Sequence, residues 1–195
     1  MKPFSKTETV WLVVIFTVLV TISIPNFIVS IKRAKDQMRR DAMGALSTAL
    51  SGYHADFEAF PLASPDGRIM DCEKPGDKPF LDKNKKWIFN FVPCDWGRDS
   101  FSNLITGNSY ISILPADSDY QKGVKYLYFS DGNRYQIYAA MEVADEAEID
   151  PKIIARKLDC GGRTCNIGRS VNVPIDISIE EYDKLILDQN AKTKK

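Results

Sequence analysis

The chain has 195 residues in which 26 Lys and Arg balance 26 Asp and Glu, giving a formal charge of zero. That balance excludes the broad positive field by which nucleic-acid binders hold phosphate, so nucleic acid is not an expected partner. Beyond a long N-terminal helical pattern there is room for one modest globular domain.

The first element begins at Ser5-Lys6-Thr7-Glu8, the pattern of a capping box, in which Ser5 caps a helix and Glu8 returns a hydrogen bond to the backbone. From Val10 to Ile31 there is no charged residue. As a helix at about 1.5 Å per residue, this run covers roughly 33 Å, enough to cross a hydrocarbon core of about 30 Å. It is too long for the apolar part of a cleaved signal peptide, and no Ala-x-Ala site follows it. Pro25 sits deep inside the run, where it deletes one backbone donor and is expected to kink the helix.

The helical pattern continues past the apolar run. Ala34, Met38, Ala42, Ala45, Ala49, Tyr53 and Phe57 recur at steps of three and four, with Lys35, Asp36, Arg39, Arg40, Asp41 and Asp56 off that stripe. One helix is therefore expected to run to about Phe57 and to stop before Pro61, roughly 75 to 80 Å in all. The chain divides into residues 1–9 as a short leader and cap, 10–31 as a transmembrane helix, 32–60 as its amphipathic continuation and 61–195 as a globular domain.

Phe4-Ser5-Lys6-Thr7-Glu8, the apolar run and then Ile24-Pro25-Asn26-Phe27 resemble the N-terminal helix of type IV pilins and type II secretion pseudopilins. Counted from Phe4, Glu8 is fifth and Pro25 twenty-second, the positions at which that family carries Glu and Pro. The alanines from Ala42, with Tyr53, Asp56 and Phe60-Pro61, look like the major pseudopilin. The resemblance covers about the first 61 residues, and the chain departs from the family in having Pro3 before Phe4 where a Gly is usual.

The resemblance implies that Phe4 is the processed and methylated N-terminus, and that Glu8 serves filament assembly by pairing with the terminal amine of a neighbouring subunit. It implies that Pro25 is the point where the helix bends on assembly. It also implies an α+β lollipop, a long helix packed against a small antiparallel sheet. The partners implied are further copies of the chain, other pilins or pseudopilins, inner-membrane assembly machinery, and the bilayer before assembly. The location is a single-pass anchor in the cytoplasmic membrane, with the C-terminal domain in the periplasm or at the cell surface.

In the globular part, Val124–Phe129 and Tyr135–Met141 flank the loop Ser130-Asp131-Gly132-Asn133-Arg134 and read as a β-hairpin. Trp87, Phe89, Phe91 and Trp96 cluster around Cys94 and suggest a small core closed by Cys72 to Cys94. Cys72, Cys94, Cys160 and Cys165 show no C-x-x-C spacing, which favours disulfides over metal-bound or free thiols and requires an oxidising compartment. Four cysteines allow three connectivities, of which the sequential Cys72–Cys94 and Cys160–Cys165 is locally simplest, the second closing over Gly161-Gly162.

Glu142, Asp145, Glu146, Glu148 and Asp150 read as a solvated acidic loop in preference to a calcium site, and the tail from Asn190 reads as disordered. His54, the single histidine, has no evident nucleophile partner and is expected at the helix surface. No P-loop, Rossmann or G-x-S-x-G pattern occurs, so the expectation is a structural protein with no cofactor or metal and no catalytic residues. The alternative is a single-pass anchored binding or sensor domain that does not polymerise.

Overall fold

Ser5 opens the fold. Its side chain accepts the Glu8 N–H at 3.3 Å while its own N–H reaches the Glu8 carboxylate at 2.7 Å, so the two orphan donors at the helix start are satisfied reciprocally. The computed structural model describes residues 5–73, 80–85, 87–88 and 90–193. From this cap one α-helix, α1, runs Lys6–Phe57 with Pro25 inside it, and every residue from Val10 to Ile31 is exposed. Polar side chains in that stretch bond to their own helix: Thr17 to the Val13 carbonyl, Thr21 to Thr17, Asn26 to Ile22 and Ser30 to Asn26. The apolar half thus presents few unsatisfied polar groups to a hydrocarbon environment. The helix is long and apolar enough to span a membrane.

α1 ends where Glu58 turns left-handed at φ 56° and returns its N–H to the His54 carbonyl. The N–H of Phe60 then bonds to the Gly132 carbonyl, which ties the helix exit to a hairpin turn far along the chain. The buried face of the second half consists of Asp36, Arg39, Ala42, Met43, Leu46, Ala49 and Leu50. This corrects the stripe expected from sequence. Ala42 and Ala49 are buried, but Ala34 and Ala45 are exposed and Met38 is 62% exposed. The true face is rotated because the domain supplies counter-charges for Asp36 and Arg39, which therefore lie inside.

The rest of the chain is built of short antiparallel strands. β1 (Leu62–Ala63), β2 (Ile69–Glu73), β3 (Phe80–Leu81), β4 (Trp87–Ile88) and β5 (Phe91–Pro93) form a three-stranded sheet of order β1-β2-β5 and a β3–β4 hairpin. β6 (Phe101–Ser102) pairs with β7 (Ser109–Ile111), and a 3-10 turn follows at Tyr120–Lys122. β8 (Leu127–Ser130) and β9 (Tyr135–Ala139) make the expected hairpin, starting three residues later than Val124 and ending at Ala139. After α2 (Pro151–Ala155), β10 (Ile167–Val171) joins β9 on its free side, so the order is β10-β9-β8. All five residues of the central β9 are buried. α3 (Ile179–Thr193) closes the described chain, so residues 190–193, expected to be disordered, are helical.

The architecture is α+β, with the second half of α1 as the spine on which small antiparallel sheets pack. Met43, Leu46 and Leu50 from α1 meet Tyr126, Tyr128, Tyr135 and Ile137 in one core. Polar ends of the tyrosines are used: Tyr128 donates to the Pro61 carbonyl at 2.7 Å, and Tyr135 bonds to Ser47 of α1 at 2.9 Å. The expected core at Cys94 is closed by the Cys72–Cys94 disulfide and is continuous with that of the helix. Cys72, Cys94 and Trp96 join the main one, and Phe91 is 38% exposed. The side chains of Trp87 and Phe89 lie outside the described residues.

Candidate functional site

Two regions of α1 carry the unusual chemistry, its bare apolar half and its joint with the domain. In the first, Glu8 stands at the exposed start of the apolar run with its carboxylate engaged by Ser5. Phe4, expected as the processed terminus, lies outside the described residues. Pro25 sits mid-helix without ending it.

The joint begins one turn past the apolar run. The Arg39 guanidinium has no exposed surface and grips Asp117 through Nε at 2.7 Å and Nη2 at 2.9 Å. Nη1 reaches Asp36 at 2.7 Å and Glu142 at 3.3 Å, and Nη2 also contacts Asp119 at 3.3 Å. Asp36 is itself held by the backbone N–H groups of Glu142 and Val143. Lys35 pairs with Asp119 at 2.8 Å, Lys122 with Asp119 at 3.1 Å, and Arg163 with both Asp119 and Glu142.

Asp36, Asp117, Asp119 and Glu142 thus face Lys35, Arg39, Lys122 and Arg163, four charges of each sign in a closed set. Burial opposes the charge on Arg39, but its hydrogen bonds to the Asp117 and Asp36 carboxylates outweigh it and hold the guanidinium firmly protonated. Asp119 is kept well below the usual carboxylate range, first by its hydrogen bond with Lys35.

A second, more exposed set extends the joint. Arg40 bonds Glu146 at 2.6 Å and Glu148 at 2.9 Å, and Arg33 lies 3.5 Å from Asp145. Asp150 caps α2 through the Lys152 N–H. The stretch read as a solvated acidic loop is exposed at Asp145 and Glu148, but Glu142, Asp145, Glu146 and Glu148 also act as counter-charges of α1, which the sequence reading did not foresee. The carboxylates of Glu142, Asp145, Glu146 and Glu148 meet arginines, and among the described residues no group of three or more His, Cys, Asp or Glu is placed to hold a metal ion.

Two disulfides brace these contacts. Cys72–Cys94 links β2 to the strand exit after β5, and Cys160–Cys165 closes the loop carrying Arg163. Gly161 in that loop, at φ 83°, packs so closely on the Gly123 carbonyl that a Cβ would stand 1.8 Å from its oxygen, so only glycine fits. The Lys125 N–H bonds to the Cys160 carbonyl and fixes the loop to the strand that enters the hairpin.

The far end of α1 is attached differently. Tyr53 donates to Asp71 on β2 at 3.2 Å, while Asp56 accepts from Tyr110 on β7 and from Asn103 at 2.8 Å. His54 is half-buried with its ring 4.6 Å from Phe60, so it is a packing residue of the last turn instead of a free surface group.

Sequence reasoning located Glu8, Pro25 and the cysteines but missed Asp36, Arg39, Asp117, Asp119 and Arg163. The available signal was the step of three from Asp36 to Arg39, in register with Met43, Leu46 and Leu50. Comparison with protein-family models, with curated proteins and with solved structures finds no match to this chain.

Proposed function

We propose that this protein is a structural subunit that is held in the cytoplasmic membrane by the first half of α1 and assembles through that helix into a pilin-like or pseudopilin-like filament. The observation that carries the reading is the continuity of α1. A single 52-residue helix is bare and apolar over residues 10–31 and becomes the spine of a disulfide-braced domain in its second half. Bare apolar surface of that size requires lipid or neighbouring protein. A spine shared between anchor and domain lets helix packing position the domain without a flexible linker.

The pilin-like register of Glu8 and Pro25 supports assembly over mere anchoring, and the role needs no catalytic residue. Partners are further copies of the chain, other subunits of the same kind and an inner-membrane assembly machine. A single cysteine placed at Val14 tests it, since the native cysteines are already paired. Oxidation or a short bifunctional reagent in cells is expected to give cross-linked products, and sheared fractions to hold filaments. Monomer alone in both assays means a non-polymerising anchored domain.

A further inference from the structure

Asp71 is 3% exposed, sits at an irregularity in the β2–β5 pairing, and accepts a hydrogen bond from the Tyr53 hydroxyl of α1 at 3.2 Å. Its second oxygen, Oδ2, is buried with no hydrogen-bond partner. A buried carboxylate with one long hydrogen bond and one bare oxygen is poorly suited to carry charge. Among the described residues, the ionisable groups that bear on it are the phenols of Tyr53 on α1, Tyr110 on β7 and Tyr128 on β8, with Asp56 behind Tyr110, and no cation is among them. The joint around Arg39 is the opposite case, with each carboxylate matched to a cation.

We propose that Asp71 makes the attachment of the last turns of α1 to the domain sensitive to pH, docked when the carboxyl is protonated and loosened when it ionises. Burial pushes Asp71 up to about 7, against the opposing hydrogen bond from Tyr53, which places the change in the neutral range. Ionisation puts a negative charge under Tyr53 with no cation among the described residues to compensate it, so the cheapest response is local opening of residues 53–58, which admits water. At the other end of the joint each carboxylate has a cation beside it, so the helix loosens from its distal end alone. The inference goes beyond the proposed filament role and does not rest on it.

Hydrogen exchange on the full chain in detergent, followed from pH 5.5 to 8.5 and corrected for intrinsic exchange chemistry, tests this. The amides of residues 53–58 are expected to lose protection by up to about tenfold per pH unit as the pH rises toward 7, the slope for one proton released on opening, and to level off above it, while residues 36–43 stay level. Asp71→Asn, which mimics the protonated form, is expected to abolish the slope. His54→Gln, which removes the histidine of that turn, is expected to keep it. A level wild-type profile, a slope surviving in Asp71→Asn, or one lost in His54→Gln overturns the proposal. Should Asp71→Asn fail to fold, the wild type decides through its infrared spectrum: a protonated-carboxyl band that disappears near pH 7 is expected, and its absence overturns the proposal.

Discussion

Arg39 and Asp117 stand 78 residues apart and form a two-pronged ion pair with almost no exposed surface, joining the helical spine to the loop before the 3-10 turn. Such a pair stabilises little relative to an apolar replacement of both partners, but removing one partner strands the other charge. Arg39→Met leaves Asp36, Asp117 and part of Glu142 without their main cation and is expected to cost about 3 to 5 kcal/mol. Arg33→Ala, which removes an ion pair between two well-exposed groups, is expected to cost under about 0.5 kcal/mol. Denaturant unfolding of both variants checks the contrast, and equal effects would show that burial does not set the value of these pairs.

How much of this joint was legible follows from which physics each residue obeys. α1 was readable because a capping box, 22 uncharged residues and a Pro after the exit are local signals. The β8–β9 hairpin was readable because its loop carries Gly132 at φ 94°, where a left-handed turn is needed. The joint was not, because charged residues are assigned to the solvent face by default, and Asp36 and Arg39 enter the core only when Asp117 and Glu142 arrive from distant loops. The same blindness hid the pairing of the acidic stretch from Glu142 with α1.

The joint also fixes a response to acid. Asp119 has its pKa lowered in the folded state, chiefly by Lys35, so its contribution is fully present above the unfolded value near 4 and is lost as pH falls through and below it. Stability measured by thermal unfolding is therefore expected to drop as the pH is taken from 5 toward 3, and to drop less in Lys35→Met. An identical acid profile in that variant would place the lost proton-linked stability elsewhere.

The two disulfides differ in what they constrain. Cys72–Cys94 closes 22 positions of chain and Cys160–Cys165 only 5, so restriction of the unfolded state is worth about 3 and about 2 kcal/mol respectively. The shorter bridge nevertheless holds Arg163 against Asp119 and Glu142. Replacing Cys160 and Cys165 by Ser is thus expected to cost more than loop length implies, and the excess should vanish in an Arg163→Met background. Peptide mapping without reductant checks the pairs themselves.

Glu8 serves its own cap in the isolated chain, so its loss there is only a loss of helix-end stability. Drawn into an apolar assembly, the same carboxylate costs about 2.5 to 3.5 kcal/mol unless a cation meets it. Glu8→Ala is expected to leave insertion and folding intact and to reduce filament yield. Glu8→Gln separates the roles, because it keeps a cap and removes the charge. Full yield from both variants would remove Glu8 from assembly.

Orientation in the membrane is contested by the sequence itself. Lys32, Arg33, Lys35, Arg39 and Arg40 follow the apolar run, against Lys2 and Lys6 before it, and short basic flanks favour the cytoplasm. Two disulfides argue the reverse, since they persist in oxidising compartments. The joint weakens the first argument, because four of those five cations are paired with carboxylates of the folded domain: Arg33 with Asp145, Lys35 with Asp119, Arg39 with Asp117 and Arg40 with Glu146. The expected orientation therefore has residues 32–195 outside the cytoplasmic membrane. Protease added to spheroplasts is expected to remove the domain and leave a fragment of the anchoring helix. Protection until the membrane is lysed would invert the topology and with it the filament reading. Spheroplasts of an Asp117→Asn variant serve as a second check, since unmasking Arg39 should leave the orientation unchanged if the compartment is set before the joint forms.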